Sequence, residues 1–188
     1  MSGDLSDPLE PLCSRRLRLR CPCDDDVDAL IELLTPAISR WMASWPYPLT
    51  ASSAIARVES ARSLTLGRNA VCCVIERDGA PVGWIEVKRA DCNPKIGALG
   101  YWIGERHQGS GYASEAAGVL IPKVFSFLEL GTIEAGAQPE NVGSFSVMRA
   151  LGMRYVGERP VFAAARGRDE VCSFYALDCP QTAVASGS

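Results

Sequence analysis

The chain has 188 residues, of which 47% are hydrophobic and 22% are charged, a composition typical of one globular domain with a sizeable core. Its net charge of −3 and its pI near 5.3 give no basic field for a polyanion, so we expect no nucleic-acid partner. The sequence has no apolar run long enough to span a membrane and no N-terminal leader, which predicts a cytoplasmic protein with no membrane partner.

Eight cysteines raise the question of a metal centre or a disulfide framework. They include no C-x-x-C pair, the chain has a single histidine, and Cys72 and Cys73 are adjacent within a predicted strand. We therefore expect reduced thiols and no metal.

The first third of the chain predicts one strand and two helices. Residues 1–13 are polar and contain prolines, which predicts a flexible N-terminus. Residues 15–20 alternate Arg and Leu as a strand does, and the acidic residues 24–28 suit the start of a helix. An aromatic loop with prolines over residues 41–48 then leads to a second helix over residues 50–66.

The rest of the chain predicts three consecutive strands and then two helices among three further strands. The three strands cover residues 70–77, 81–89 and 95–103, with a hairpin turn at Asp78-Gly79. The later elements are a helix over 112–130, a strand over 132–137, a helix opened by Asn141, and strands around 155–165 and 171–177. One domain over residues 14–179, with a flexible tail over 180–188, follows from this pattern.

A glycine-rich turn joins the strand over 95–103 to the next helix. It reads Gln108-Gly109-Ser110-Gly111. Glycines let a ligand approach the backbone, and the first turn of a helix carries N–H groups without internal partners that attract phosphate oxygens. A plain connection without a ligand has the same local pattern. The motifs of a P-loop and of a dinucleotide fold are absent.

Two segments resemble the GNAT N-acetyltransferase superfamily. The sequence QGSGYA over residues 108–113 is similar to its Q/R-x-x-G-x-G/A acyl-CoA motif, and GYWIGERHQGSGYASEA is similar to its RimJ/RimL-like branch. Downstream, residues 141–153 resemble the family's N-x-x-S-x-x-V/L-x-x-x-L-G-F/M helix. The resemblance covers residues 15–178 and implies the α+β GNAT fold, whose mostly antiparallel central sheet is splayed between strands 4 and 5 and flanked by helices.

The resemblance also implies a function and a co-substrate. It implies an acetyl-CoA-dependent N-acetyltransferase that moves an acetyl group by direct attack to a primary amine, either a protein N-terminus or a small-molecule amine. The alternative is a catalytically silent acyl-CoA-binding sensor or scaffold of the same fold. A homodimer is compatible with both.

Several positions carry the family's cofactor contacts. The pantetheine arm is expected in the splayed gap, along the strand edge at Trp102 and Ile103, because its amides can pair with a free edge. The backbone of the turn and of the first helical residues is expected to hold the diphosphate. The implied contacts there are Gln108, Gly109, Ser110, Gly111, Tyr112, Ala113 and Ser114, with Asn141 and Ser144 toward the thioester.

The catalytic residues are less determined by the resemblance. Ser144 is expected near the sulfur, where its hydroxyl would serve the leaving thiolate, or else it bonds local backbone in the first turn of its helix. The tyrosine that many members carry as general acid aligns with Met148. The fourth predicted strand has no carboxylate, so Glu86 on the preceding strand is the nearest candidate base, with Glu134 behind it and a water chain equally open.

The acceptor amine is expected between the aromatic loop and the segment over residues 160–169. Trp41, Trp45 and Tyr47 are the candidate substrate residues, because aromatic faces bind cations. Aromatic residues beside prolines also serve simply to pin a loop to the core, and the sequence leaves both roles open.

Overall fold

The computed structural model describes residues 10–180, so most of the predicted flexible N-terminus and all but the first residue of the predicted tail lie outside the described residues. Leu12 and Cys13, at the end of the predicted flexible segment, form a short strand instead. This strand is held because Leu12 is partly buried against the core.

One sheet and five α-helices make up residues 10–180. The strands are β1 (Leu12–Cys13), β2 (Arg18–Arg20), β3 (Ala70–Arg77), β4 (Ala80–Ala90), β5 (Asn93–Ile103), β6 (Thr132–Ala137), β7 (Arg154–Ala163) and β8 (Arg168–Asp178). The helices are α1 (Val27–Leu33), α2 (Pro36–Ser39), α3 (Ala51–Leu66), α4 (Tyr112–Phe127) and α5 (Val142–Ala150). Predicted and observed elements agree in type and order, apart from the added β1 and α2.

The strand order in the sheet is β1-β2-β3-β4-β5-β6-β8-β7. Within the described chain, all neighbouring strands are antiparallel except β5 and β6, which are parallel. These two pair only at Ile96–Ala98 with Thr132–Glu134, although β5 continues to Ile103 and β6 to Ala137. The splayed gap is confirmed, and it lies one strand later in the count because β1 was not predicted.

Each face of the sheet has its own hydrophobic core. The core on the α4–α5 face includes Leu120, Val124, Ile133 and Met148. The core on the α1–α3 face includes Leu30, Val58, Trp45, Trp84 and Trp102. Because side chains alternate along a strand, Tyr101 packs on the first core and its neighbour Trp102 on the second. The gap between β5 and β6 therefore opens between the two faces of the sheet, each of which has its own core.

Candidate active site

A cavity of about 880 Å³ lies at the gap between β5 and β6. Two parts of its lining bear on function. We call one part the helix half; it consists of the lining residues of β5, of the turn before α4 and of the starts of α4 and α5. We call the other part the hairpin half; it consists of residues 37, 38 and 40–44, Glu86, residues 136–138, and the lining residues of β7 and β8.

The turn that precedes α4 is an open cradle. Gly109 and Gly111 have φ of +74° and +76°, a left-handed conformation that favours glycine. A Cβ at Gly109 would meet nothing within 4 Å, so packing within the protein leaves this space open. The Gln108 side chain donates to the Ile103 carbonyl at 2.9 Å and ties the turn to the end of β5.

The first residues of α4 line the cavity next to this turn. Glu115 N donates to Gly111 O at 3.0 Å, which closes the first helical turn. The preceding N–H groups, of Tyr112, Ala113 and Ser114, belong to the unpaired first turn that every α-helix has. Unpaired N–H groups at the start of a helix, together with the dipole of a helix of 16 residues, attract phosphate oxygens.

An ion pair outside the cavity holds the turn in place. The Glu115 carboxylate accepts hydrogen bonds from Ser14 Oγ at 2.7 Å and from Arg16 Nε at 2.7 Å. Arg16 Nη2 donates to Ser110 O at 2.9 Å. Burial alone would raise the pKa of Glu115, but these hydrogen bonds outweigh it and lower the pKa. Glu115, which lies in the segment that resembles the family, thus holds the turn through contacts outside the cavity lining.

Some predicted cofactor residues contribute backbone only. The Tyr112 side chain is buried, with its ring between Arg16 and Arg77, and its hydroxyl accepts a hydrogen bond from Arg77. Ser110 does not line the cavity, and its carbonyl is taken by Arg16. Its predicted contact is therefore limited to its N–H.

The side chains of Trp102 and Ile103 are also mostly buried, at 4% and 7% exposure, so the strand edge they offer is their main chain. The Trp102 indole N–H is buried and has no hydrogen-bond partner within residues 10–180.

The start of α5 brings Asn141 and Ser144 to the cavity, as predicted. Asn141 caps the helix, since its Oδ1 accepts from Ser144 N at 3.2 Å. For Ser144 Oγ, no hydrogen bond is found within the described chain. The Ser144 carbonyl accepts from the Tyr101 hydroxyl at 3.3 Å, and burial raises the pKa of Tyr101 to about 12. The sequence did not single out Tyr101, although it lies within the GYW segment.

Of the two candidate acids, only Glu86 lines the cavity. Its Oε2 accepts from Trp84 Nε1 at 2.9 Å, and its Oε1 is 2.9 Å from Lys88 Nζ. Glu134 is instead paired with Arg159, away from the cavity lining. Glu86 lies at the gap because it pairs with Gly100 of β5, which is two residues past the last β5–β6 pair.

The three aromatic residues of the predicted acceptor loop have three different environments. Trp41 lines the cavity, and the Arg40 guanidinium lies 4.5 Å from its ring centroid. Trp45 is 1% exposed and packs edge-on against Trp84 and Trp102, at 5.2 and 5.1 Å between ring centroids.

The prediction of Trp45 as a substrate residue is therefore wrong. Its ring fills the core on the α1–α3 face, and its cation–π partner is Arg57 at 4.0 Å. Tyr47 is 53% exposed and lies outside the cavity lining, so its contact with the acceptor stays a prediction.

The aromatic loop and the β7–β8 hairpin are in contact with each other. Ala165 N donates to Ala43 O at 2.9 Å. Arg166 Nη1 donates to the carbonyls of Ser39 and Met42 at 3.0 and 3.1 Å. Trp41–Ser44 on one side and Val161 and Ala163 on the other therefore form neighbouring walls of the hairpin half.

A charged network that the sequence did not reveal supports these walls. Arg166 donates to both oxygens of Glu170, at 2.8 and 2.7 Å, and Arg168 adds a bond at 3.0 Å. The Arg166 hydrogen bonds lower the pKa of Glu170 to about 2. Gln138 Nε2 donates to Glu170 Oε2 at 2.6 Å. A polar residue at the end of an apolar strand was the only signal in the sequence for Gln138.

Neither a metal cluster nor a membrane helix is found in residues 10–180. No group of three His, Cys, Asp or Glu side chains there is arranged to hold a metal ion. No helix in this range is long and apolar enough to cross a membrane. Cys172 lines the cavity, and burial raises the pKa of its thiol.

A mixed sheet splayed beside a glycine turn and a helix start is the arrangement of the class of acyl-CoA-dependent transferases to which the resemblance pointed. A model of the acetyltransferase (GNAT) domain matches residues 16–154. The chain belongs to the GNAT acetyltransferase family. Uncharacterized N-acetyltransferase p20 of Bacillus licheniformis is 28% identical over 163 residues, which cover 85% of this chain and 91% of the relative.

Solved structures have the same fold. Mycobacterium smegmatis RimJ in complex with CoA-disulfide has a TM-score of 0.78 at 22% identity, covering 90% of this chain and 86% of that chain. A putative ribosomal-protein-serine acetyltransferase from Vibrio cholerae has a TM-score of 0.76 at 23% identity, covering 92% and 99%. The fold and the resemblance to the GNAT family are confirmed, with RimJ among the structures that share the fold, and the protein is an acetyltransferase that uses acetyl-CoA.

Proposed function

We propose that this acetyltransferase acts on a primary amine, either a polypeptide N-terminus or a small-molecule amine. One observation carries the proposal: a single cavity joins the turn before α4 to the Glu86 carboxylate, which lies beside Trp84 on the α1–α3 face of the sheet. A thioester held from the helix half would therefore meet an amine held in the hairpin half without a further opening in the sheet.

The helix half suits acetyl-CoA in three respects. The Gly109 cradle and the first-turn N–H groups of α4 suit the diphosphate. Within the described residues, β5 has no strand partner on its β6 side beyond Ala98, which leaves an edge for the pantetheine amides. Ser144 lies at the start of α5 with its hydroxyl unengaged by residues 10–180, next to the carbonyl that anchors Tyr101.

The charges around the cavity favour an amine as the acceptor. Four carboxylates line it, against one arginine, Arg40. The carboxylates are Glu86, Glu105, Glu140 and Glu170. His107 also lines the cavity, and burial, together with the nearby Arg106 and Arg77, lowers its pKa, so it adds no positive charge at neutral pH. Lys88 balances Glu86, and Arg166 and Arg168 balance Glu170, so the attraction for an ammonium group rests on Glu105 and Glu140.

The reaction needs one proton acceptor and one proton donor. The amine nitrogen forms a bond to the thioester carbonyl carbon, and the carbon–sulfur bond breaks to release the thiolate of coenzyme A. We assign Glu86 as the group that takes the proton from the amine, directly or through a water. We assign Ser144 as the group that hydrogen-bonds the departing thiolate, which then takes up a proton. Most of the acceleration comes from positioning the two reactants.

Calorimetry with acetyl-CoA, followed by thiol release with a panel of amines and short peptides, tests this proposal. Binding together with acceptor-dependent thiol release and a mass increase of one acetyl group on the acceptor nitrogen is the expected result. Binding without release for every acceptor would favour the silent sensor and overturn amine transfer. The absence of binding by folded protein would overturn the assigned cofactor site.

A further inference from the structure

The hairpin half carries an arginine that has no ion-pair partner. Arg40 follows α2 directly and lines the cavity, and its side chain is exposed. Its guanidinium carbon lies 4.5 Å from the centroid of the Trp41 ring, which lines the cavity as well. Within residues 10–180, this stacking is the one contact of the guanidinium, with no carboxylate paired to it and no hydrogen bond from its N–H groups.

Each carboxylate of the hairpin half, by contrast, has a cation of its own. Glu86 Oε1 is 2.9 Å from Lys88 Nζ, and Glu170 is bound by two arginines. The other two carboxylates of the cavity lining, Glu105 and Glu140, lie outside this half. The hairpin half therefore carries more positive than negative charge, and a ligand group of negative charge would balance it.

The backbone that carries this arginine is held in place. Arg166 Nη1 donates to the carbonyls of Ser39 and Met42, which flank Arg40 and Trp41. Stacking on the indole uses the face of the Arg40 guanidinium and leaves its N–H edge for other partners. Such an edge matches the paired oxygens of a carboxylate or phosphate.

The segment that begins at Arg40 also leads to the surroundings of Glu86. The centroid of the Trp45 ring is 5.2 Å from that of the Trp84 ring, and the Trp84 indole N–H donates to Glu86 Oε2 at 2.9 Å. Arg40 and Glu86 line the same cavity. A small molecule whose amine faces Glu86 can therefore present a second group to Arg40.

We propose that Arg40 binds a carboxylate or phosphate group of the same small molecule that presents the acceptor amine. This inference rests on the proposed amine transfer and narrows the acceptor to small amines that carry a negative charge of their own. The amine is deprotonated beside Glu86, while the negative group pairs with the guanidinium and fixes the orientation of the molecule in the cavity.

The test compares acceptors that differ in one charged group. Glycine, β-alanine, γ-aminobutyrate and δ-aminovalerate are assayed by thiol release beside their carboxamides, which keep the shape and lose the negative charge. Ethanolamine phosphate and propanolamine phosphate are assayed beside the free amino alcohols. The chain length that works best gives the spacing between amine and anion, and the better of the two series distinguishes a carboxylate from a phosphate.

The same acceptors are used with Arg40→Met, which keeps an unbranched side chain beside Trp41 and removes the charge. Arg40→Lys restores the charge without the planar fork. Arg68→Met is the matched control, because Arg68 also lies over an aromatic ring, that of Phe127 at 4.9 Å, but outside the cavity lining. Circular dichroism and thermal unfolding establish that the variants fold, and calorimetry with acetyl-CoA monitors the helix half separately.

In the wild type, kcat/KM for the best anionic acceptor is expected to exceed that for its neutral counterpart at least about tenfold, because hydrogen bonds between charged groups are strong. In Arg40→Met this ratio should fall about tenfold, with Arg40→Lys between the two and Arg68→Met equal to the wild type. Differences in basicity between the paired amines cancel when the ratio is compared between enzymes. Acetyl-CoA affinity should be unchanged in every variant.

An equal ratio of anionic to neutral acceptor in Arg40→Met and in the wild type would overturn the subsite. Neutral amines or neutral peptides that the wild type uses as efficiently as every anionic acceptor would overturn it too. A loss of acetyl-CoA affinity in Arg40→Met that matches its loss of turnover would place the guanidinium on the cofactor and have the same consequence.

If Arg40→Met does not fold, Arg40→Gln also removes the charge and is judged by the same ratio. A wild-type ratio that does not shrink as added salt screens the pair would likewise overturn the subsite. Turnover of neutral amines with no dependence on Arg40 would overturn this inference alone, whereas acetyl-CoA binding with no turnover of any amine would overturn the proposed function itself.

Discussion

The helix half and the hairpin half of the cavity are built in different ways. The helix half comes from short continuous stretches of sequence, and the groups assigned to acetyl-CoA there are main-chain atoms of a turn, a strand edge and a helix start, with the Ser144 hydroxyl as the exception. The hairpin half comes from four segments far apart in the chain, and its shape depends on side-chain contacts such as those of Arg166 with Ser39, Met42 and Glu170. Binding of acetyl-CoA requires the first kind of site, whereas the choice of acceptor can depend on the second.

The largest effect is expected from a substitution that tests whether the helix half alone binds acetyl-CoA. Gly111→Asp places a carboxylate in the turn where a diphosphate would lie, and like charges in close contact cost several kcal/mol, so affinity for acetyl-CoA should fall at least about a hundredfold. Calorimetry measures this.

Gly79→Asp is the matched control for this change, because Gly79 also has a positive φ, of +81°, but lies in the β3–β4 turn outside the cavity lining. Both variants carry similar backbone strain, so only the first should lose acetyl-CoA binding. Equal losses in the two would mean that strain, and no diphosphate contact, explains the effect.

The next effect tests whether proton transfer belongs to the hairpin half. Glu86→Gln should lower kcat about a hundredfold, the usual contribution of a general base, with acetyl-CoA affinity nearly unchanged. Steady-state kinetics and calorimetry separate the two quantities. Glu134→Gln is the control, because Glu134 is bound to Arg159 outside the cavity lining. A larger loss in the control would transfer the role to Glu134.

A smaller effect on kcat is expected at Ser144 in the helix half. Ser144→Ala removes one hydrogen bond to the thiolate, which corresponds to about tenfold in kcat, and leaves acetyl-CoA affinity almost unchanged. Ser126→Ala is the control, since its Oγ bonds only local backbone at the end of α4. If Ser144→Ala has wild-type kcat, the hydroxyl is a local helix feature and the thiolate is served by another group.

The smallest effect concerns the stability of the hairpin half. The pKa of Glu170 is about 2 in the fold, below its ordinary 4.5, so its pairing contributes stability above about pH 4.5 that is lost as the pH falls toward 2. Glu170→Gln retains the size and one acceptor of the side chain, so its free energy of unfolding should drop only about 1 kcal/mol at neutral pH. The difference from the wild type should shrink near about pH 3.

Urea unfolding at both pH values measures this prediction. Glu158→Gln, on β7 outside the network, should show no such pH-dependent difference from the wild type. A Glu170→Gln difference that stays constant down to low pH would show that ionisation of Glu170 does not contribute to the stability of the hairpin half.

Most elements of the fold follow from local patterns. The strand over Thr132–Ala137 was predicted at its observed bounds, and the α3 N-cap at Thr50 lies where the predicted helix began. β1 was missed because two residues carry no periodic signal, and they are held by pairing with β2 and by the contact of Leu12 with the core. The predicted helix after Gly111 was three residues too long, because Glu129 takes a positive φ of +50° and the chain turns back to β6.

The candidate site also has parts that follow from local sequence and parts that do not. By itself the sequence determined the turn at Gly109 and Gly111 and the helix starts at Tyr112 and Asn141, because glycine conformation and helix-end N–H groups are properties of neighbouring residues. Only the tertiary structure decided that Trp45 belongs to the core and that Glu86, and no other candidate acid, reaches the cavity. It also decided that Gln138 meets a glutamate 32 residues away. Strand register and side-chain packing fix those contacts, and neither is encoded in any short stretch of the chain.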